Sequence, residues 1–304
     1  MDYSKNLILI ISPVHQVLIN SLKKSKKNFE YLPNISEHKL KEKIINTKVL
    51  ILRSGVNINN KLIKSAKKLK LILRAGSGLD NIDIIQAKKQ KIKVENIAGL
   101  NARSVAEFGF GLIFTVLRNI VSADKEIRKN IWKKTNHYGL ELKSKTIGII
   151  GLGNIGTEVA KISKSFGLKV IANVKNKKRV RKIKVPIVNL LYLLRNSDII
   201  VFCVPLTNKT KNLLNNSNSK KIKKDSIIIN LSRGGVVDED VLYNLLQKNK
   251  LFGAASDVFL HEKKLNKLFK LKNIVVTPHI GAMTFDAQRK IAERVFVKLK
   301  RFLG

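Results

Sequence analysis

The sequence predicts an α/β protein with two parallel-sheet halves, on three observations. Short β-branched runs alternate with longer amphipathic stretches, the pattern of βα units. The runs fall into two series, parted by one long helical stretch. The 304 residues, 44% of them hydrophobic, are enough for two fully buried sheets.

The first series comprises residues 7–12, 49–53, 71–74 and 93–95, and lysine-rich helical stretches follow, such as 60–68. A long helical segment is expected over roughly 102–128, where Val105, Phe108, Leu112, Ile113, Val116 and Leu117 recur on one face. The second series runs through 146–150, 169–173, 199–203, 226–230, 253–257 and 274–277, and a last helix covers 284–303. Two such series imply two Rossmann-like halves, with no solenoid repeat and no low-complexity linker.

The totals exclude several classes of protein. The lone Cys203 leaves no internal disulfide framework and no multi-cysteine metal site, so no metal is expected. The N-terminal apolar run over 7–11 is shorter than the roughly 7–15 residues of a signal-peptide core. No stretch approaches the roughly 18 apolar residues of a membrane helix, so a soluble, cytoplasmic protein without a membrane partner is expected. The net charge of +39 would draw the chain to polyanions at low salt. The lysines, however, are spread over every predicted helix, aromatics are 6%, and no zinc-finger spacing or basic-region heptad is present. No specific nucleic-acid partner is expected.

The strongest local motif is the run Gly151, Leu152, Gly153, Asn154, Ile155, Gly156, entered from a buried strand and left by a helix predicted over 157–166. Gly151 permits a tight turn, Gly153 lets the backbone approach a pyrophosphate, and Gly156 lets helix and strand pack closely. The helix N-terminus then offers N–H groups to the phosphates. A dinucleotide cofactor follows. The acidic residue expected about 20 positions on, for the adenosine ribose, is missing. Asn173 ends the next strand, Val174 takes the acid's position, and Lys175, Lys177, Lys178 and Arg179 follow. Cations without a carboxylate suit the 2′-phosphate of NADP, while Asn173 could hydrogen-bond a ribose hydroxyl; NAD or NADP is expected, with NADP slightly favoured.

Three later segments carry chemistry: 230–235 with Arg233, 257–262 with Glu262, and 277–282 with His279. Each lies at or beyond the carboxyl end of a predicted strand, where open α/β sheets place ligands. Arg233 can fork onto a carboxylate and polarise an adjacent carbonyl. His279 can give a proton to the alkoxide formed by hydride addition, or remove it in reverse. Glu262 can hydrogen-bond the imidazole, fixing its orientation and favouring its protonated form. His15, His38 and His137 are read as structural, and His261 lacks the strand-to-glycine turn that presents His279.

Together with the glycine turn, these segments resemble the D-isomer-specific 2-hydroxyacid dehydrogenase family, over roughly residues 49–295. The resemblance implies Arg233, Glu262 and His279 as catalytic set, and Asp257 as holder of the nicotinamide carboxamide, with Cys203, Pro205 and Gly281 also on the cofactor side. It implies a nucleotide domain of residues 100–284, inserted in a split substrate domain of 1–99 and 285–304, and a homodimer formed through the nucleotide domain.

Within the family the phosphoglycerate dehydrogenases, which serve serine biosynthesis, are most similar. The run 74–83 resembles their substrate signature, with the amides of Gly76, Ser77 and Gly78 on a substrate carboxylate. Arg53, beside Ser54, resembles their phosphate-contacting arginine, Lys134 stands near another, and Arg74 is a further cationic candidate. The 2-hydroxy or 2-keto acid substrate is therefore expected to be 3-phosphoglycerate or 3-phosphohydroxypyruvate. The alternatives are a glyoxylate or hydroxypyruvate reductase and, in another class, a dinucleotide-binding regulatory protein, which need not keep an acid, an orienter and a clamp. Two departures stand out: Cys203 where the family often has His, expected to change pocket-wall packing, and Lys263 where it commonly has Pro, expected to leave the loop after Glu262 less rigid. The chain ends at the catalytic core, so feedback through a C-terminal regulatory domain is not expected.

Overall fold

The computed structural model describes residues 7–175 and 183–304, and every strand pairing in it is parallel. The chain divides into two compact units, one running up to Asn101 and resuming over Met283–Gly304, the other Ala102–Ala282.

The first unit holds β1 (Leu7–Ile10), β2 (Phe29–Tyr31), β3 (Thr47–Leu52), β4 (Leu71–Arg74) and β5 (Lys93–Asn96), in the order β2-β1-β3-β4-β5. The expected α/β pattern is present, with β2 added. That strand is three residues long, stands at the sheet edge and carries Glu30, which pairs with Lys43 at 2.8 Å. A short charged edge strand has no hydrophobic alternation to read. One face of the sheet buries Ile8, Ile10, Val49 and Ile51 with Leu18 and Leu22 of the first helix and Ile291, Val295 and Leu299 of the last. The returning helix Phe285–Leu303, capped by the Thr284 hydroxyl at its N-terminus, thus belongs to the first unit's core. The other face buries Leu9, Leu50, Leu52 and Ile72 against Leu40, Ile44, Leu62 and Ile63.

The second unit holds β6 (Thr146–Ile150), β7 (Lys169–Asn173), β8 (Ile199–Phe202), β9 (Ser226–Asn230), β10 (Leu251–Ser256) and β11 (Ile274–Val276), in the order β11-β10-β9-β8-β6-β7. Alternate residues of β6, β8 and β9 enter two cores: Ile147, Ile149, Ile199, Val201, Ile227 and Ile229 on one face, Ile150, Ile200, Phe202 and Ile228 on the other. Burial on both faces is why these strands read as continuous apolar runs.

The helical segment expected over roughly 102–128 is made of two helices, Ala102–Leu117 and Ile120–Ile127, bent by 62°. The break falls at Asn119, which sits in the left-handed region at φ 53° and donates its side-chain amide to the Tyr138 carbonyl at 3.0 Å. Asparagine enters this region far more readily than most residues, and an apolar period does not register it. Among the described residues no single helix is long and apolar enough to cross a membrane.

Candidate active site

In the second unit, chain order reverses at β6, which has β7 on one side and β8 on the other. The carboxyl ends around such a switch point form the crevice where open sheets bind ligands. The glycine turn leaves β6 there. Gly151 adopts φ +97° and donates its N–H to the Asn173 carbonyl at 2.9 Å. A Cβ on Gly156 would lie 1.9 Å from the Gly151 carbonyl oxygen, so helix Asn154–Ser165 can approach β6 only with glycine at that point. Space above Gly153 is open, and as N-cap it makes no side-chain bond to the helix's first N–H groups. Exposed Asn154 and half-buried Ile155 continue the helix, which therefore starts three residues before its predicted position.

These features fit a pyrophosphate, held by uncapped N–H groups at a helix start. Changing Gly156 to valine is expected to remove cofactor binding and to lower the thermal midpoint, because the obstructing atom belongs to backbone and cannot swing away. Cofactor titration by fluorescence together with a melting curve checks this.

Cys203 and Val204 flank the same turn: a Cβ on Gly151 would lie 2.7 Å from Val204 Cγ1 and 2.9 Å from the Cys203 carbonyl oxygen. Burial pushes the Cys203 thiol up to about 12, although the residue as a whole is only half-buried; the sulfur faces the core and is a packing group. Pro205 accepts from the Thr210 hydroxyl at 2.6 Å. At the end of β7, Asn173 donates its amide to the Val188 carbonyl at 2.9 Å, and among the described residues its Oδ1 accepts no hydrogen bond. Half-buried Val174 and exposed Lys175 follow; Lys177, Lys178 and Arg179 lie outside the described residues.

The ends of β9, β10 and β11 bring the three chemical segments together. Buried Asn230 closes the β9 turn: its Oδ1 accepts from the Ser232 N–H and hydroxyl at 3.1 and 2.6 Å, and its amide donates to the Arg233 carbonyl at 3.3 Å. The Arg233 guanidinium donates to the Ser232 carbonyl at 2.8 Å. The next residue, Gly234, lies so close to Phe259 that a Cβ would meet its carbonyl at 2.0 Å. The Arg233 turn and the Glu262 loop are therefore in direct contact.

Asp257, 4% exposed, follows β10 and organises the third segment. Its Oδ1 accepts from the Thr277 hydroxyl at 2.6 Å and the Ile280 N–H at 2.9 Å; its Oδ2 accepts from the buried Gly281 N–H at 2.9 Å. The residue enclosed by these bonds is His279, in the left-handed region at φ 58°. A non-glycine residue there is strained by about 1–3 kcal/mol and needs surroundings that over-determine it. Asp257 supplies them. The His279 Nδ1 lies 2.7 Å from Glu262 Oε1, with the imidazole 29% and the carboxylate 46% exposed. The pair is open enough for a substrate and tight enough to fix the ring.

The loop after Glu262 departs from expectation. Lys263 takes φ 71°, which a proline ring locked near −65° cannot adopt. The loop is also tied down: Glu239 accepts from the Leu260 N–H at 2.6 Å and from the Asn266 amide at 2.5 Å.

The other candidates divide between the units. In the first, chain order reverses at β1, and Arg53 and Ser54 follow β3 at that switch point, the Arg53 N–H donating to Ser12 Oγ at 3.0 Å. Burial lowers the pKa of the Arg53 guanidinium, whose Nη2 lies 2.9 Å from Met283 Sδ; among the described residues no carboxylate pairs with it. Asn81 ties the loop by donating to the Arg53 and Val56 carbonyls at 3.1 and 2.7 Å. Arg74, 8% exposed, lays its guanidinium where a side chain on Gly76 would stand. Ser77 donates to Asn101 Oδ1 at 3.0 Å and accepts from the Asn96 amide at its carbonyl, fixing the turn that continues through half-buried Gly78. Lys134 is in the second unit, exposed at the start of the 3-10 turn Lys134–His137, beside Trp132 and Ile127 in an apolar groove.

Three of the remaining histidines have local work. His15 caps the first helix, His38 pairs with Glu42 at 3.4 Å, and His137 pairs with Glu126 at 2.9 Å. Sequence reasoning did not single out Asn230, Thr277, Glu239, Asn81 or Ser12. Asn230, Thr277 and Ser12 share one signal, a polar residue at or within two positions past a strand's carboxyl end.

Comparison with known proteins bears on the same residues. The NAD binding domain of the D-isomer specific 2-hydroxyacid dehydrogenases matches residues 110–281. Hydroxypyruvate reductase of Thermotoga maritima is 40% identical over 285 residues, 91% of this chain and 93% of that one. D-3-phosphoglycerate dehydrogenase of Methanocaldococcus jannaschii is 37% identical over 300 residues, 97% of this chain; the chain spans only 57% of that relative's length. Among solved structures, D-lactate dehydrogenase of Aquifex aeolicus, complexed with NAD and lactic acid, is 27% identical with a TM-score of 0.85, covering 98% of this chain and 95% of that one.

Proposed function

Since the chain belongs to the D-isomer specific 2-hydroxyacid dehydrogenase family, and so is an oxidoreductase of CH–OH donors with a nicotinamide cofactor, we propose that it interconverts 3-phosphoglycerate and 3-phosphohydroxypyruvate. The observation that carries the phosphate reading is Arg53, a partly desolvated guanidinium at a switch point, with a thioether beside it and no carboxylate paired with it among the described residues. A half-buried cation loses part of its hydration, and a dianionic substrate group offsets that cost.

In this reading the first unit offers the amides of Gly76, Ser77 and Gly78 to the carboxylate and Arg53 and Arg74 to the phosphate, and the second unit offers the Arg233 guanidinium to the carboxylate and Lys134 as a further cation. Arg233 also polarises the 2-carbonyl. His279 delivers the proton to the 2-oxygen in reduction and removes it in oxidation, with Glu262 orienting the ring. The bound nicotinamide supplies or accepts the hydride. The residues 151–156 hold its pyrophosphate, with Asn173, Val174, Lys175, Cys203 and Pro205 along the adenosine and Asp257 and Gly281 towards the nicotinamide. Val174 in place of an acid, followed by Lys175, favours NADP. The enzyme serves serine biosynthesis in the cytoplasm as a homodimer. Helix Ile120–Ile127 buries none of its own residues, and Trp132 beside it is 76% exposed, an apolar surface suited to a second copy.

A second reading, reduction of hydroxypyruvate or glyoxylate by the same catalytic set, is favoured by the 40% identity to the Thermotoga enzyme. Absorbance at 340 nm with NADH or NADPH, against phosphohydroxypyruvate, hydroxypyruvate and glyoxylate, separates the two. Fast oxidation with the phosphorylated acid is expected. Arg53→Ala should then lower kcat/KM for that acid by roughly 10–100-fold, the worth of a charge-assisted contact, and leave glyoxylate turnover unchanged. Equal losses for both acids would overturn the phosphate reading.

A further inference from the structure

We propose that Glu239 is a positioning residue for the His279–Glu262 pair: it fixes the loop that carries Glu262 and does not itself reach the imidazole. The proposal rests on the catalytic pair described above and assigns a role to a carboxylate outside it.

Glu239 opens the helix Glu239–Gln247, but it is not the helix cap. Asp238 performs that task, its Oδ1 accepting from the Asp240 and Val241 N–H groups at 3.0 and 3.2 Å. With capping done one residue earlier, both Glu239 oxygens turn to the neighbouring loop. Oε1 accepts from the Leu260 N–H at 2.6 Å and Oε2 from the Asn266 amide at 2.5 Å. Asn266 is itself fixed, its Oδ1 accepting from the Leu268 N–H at 3.0 Å to cap the turn Lys267–Lys270. The carboxylate thus pins both ends of a short loop, and Glu262 lies between the pins.

The loop has little else to hold it. Residues 260–265 are all exposed, Leu265 completely so, and Lys263 stands in the left-handed region at φ 71°. No buried side chain anchors this stretch, so its conformation depends on hydrogen bonds at its ends. A charged acceptor makes each of them stronger than a neutral one would be. The 2.7 Å contact between Glu262 and His279 needs the loop in one register. When the pins are removed, water can satisfy the exposed Leu260 N–H and reach the partly buried Asn266 amide. Little stability is therefore lost; the register is what goes.

The test uses the whole chain with labelled histidine, observed by NMR, alongside turnover. His279→Gln assigns the His279 ring signals among the five histidines. In Glu239→Ala those signals should move most of the way to their position in Glu262→Gln, and in the double variant they should coincide with Glu262→Gln. Glu239→Gln, which keeps one acceptor for Leu260, should fall between. Turnover by Glu239→Ala should drop roughly tenfold in kcat with the KM for cofactor unchanged, and should drop no further on the Glu262→Gln background, the non-additivity of residues acting as one unit. Wild-type ring signals in Glu239→Ala, or losses that simply add, would overturn the proposal. If the wild-type chain reduces no keto acid, the proposed function fails instead, and the ring signals still decide the role of Glu239.

Discussion

Replacing His279 with glutamine is expected to lower kcat by roughly 10²–10⁴-fold while leaving cofactor affinity unchanged, the range for loss of a general acid–base group. Glutamine keeps a side-chain N–H that can donate to Glu262, so the turn and its ion-pair partner need not move. It cannot exchange a proton near neutral pH. The left-handed backbone at φ 58° suits histidine better than glutamine, so a melting curve accompanies the kinetics to separate a folding loss from a chemical one. Stopped-flow absorbance at 340 nm measures the chemical step, and a fluorescence titration measures cofactor binding. An unchanged kcat would remove His279 from the reaction and with it the chemical reading of the Glu262 pair. Loss of cofactor binding together with activity would make His279 part of the fold of the site and not of its proton chemistry.

The second large effect is expected at Asp257. Alanine there removes the acceptor for three donors at once, the Thr277 hydroxyl and the Ile280 and Gly281 N–H groups. Each donor left unpaired out of water costs about 1–3 kcal/mol. At about 2–4 °C per kcal/mol for a unit of this size, the midpoint of the second unit should fall by roughly 10 °C or more. Activity should be lost as well, because nothing else in the turn holds the φ of His279. Asp257→Asn, which keeps one carbonyl oxygen and places an N–H₂ against a donor, should be intermediate in both. Circular dichroism melts and turnover of the two variants test this. A wild-type midpoint in Asp257→Ala would mean that the three bonds carry no net stability. A wild-type kcat would mean that the turn stands without them.

These two residues illustrate what a linear reading can reach. Arg233, Glu262 and His279 stand out because each lies just past a strand, and strands β6 and β7 are delimited at 146–150 and 169–173 as their apolar runs predict. The glycine turn is legible for the same reason. Its strand, its three glycines and its helix are neighbours in sequence, and the conformations they require are local properties of those residues.

What was not legible is the apparatus that holds the candidate catalytic residues in place. Asp257 meets Thr277, Ile280 and Gly281 from 20 to 24 positions away, and Glu239 meets Leu260 and Asn266 from 21 and 27 positions away. Those meetings depend on the parallel register that sets Ser256 against Asn230 and against Val276, so that three strand ends finish at one level. The left-handed backbone of His279 and Lys263, the break at Asn119 and the edge strand β2 belong with them. The sequence by itself determined the α/β class, the glycine turn and the candidate site residues, because hydrophobic period and glycine placement act over a few residues. Only the tertiary structure decided what holds them in place, Asp257 on the His279 turn and Glu239 on the Glu262 loop, because a hydrogen bond between strand ends exists only once the sheet has brought the ends together.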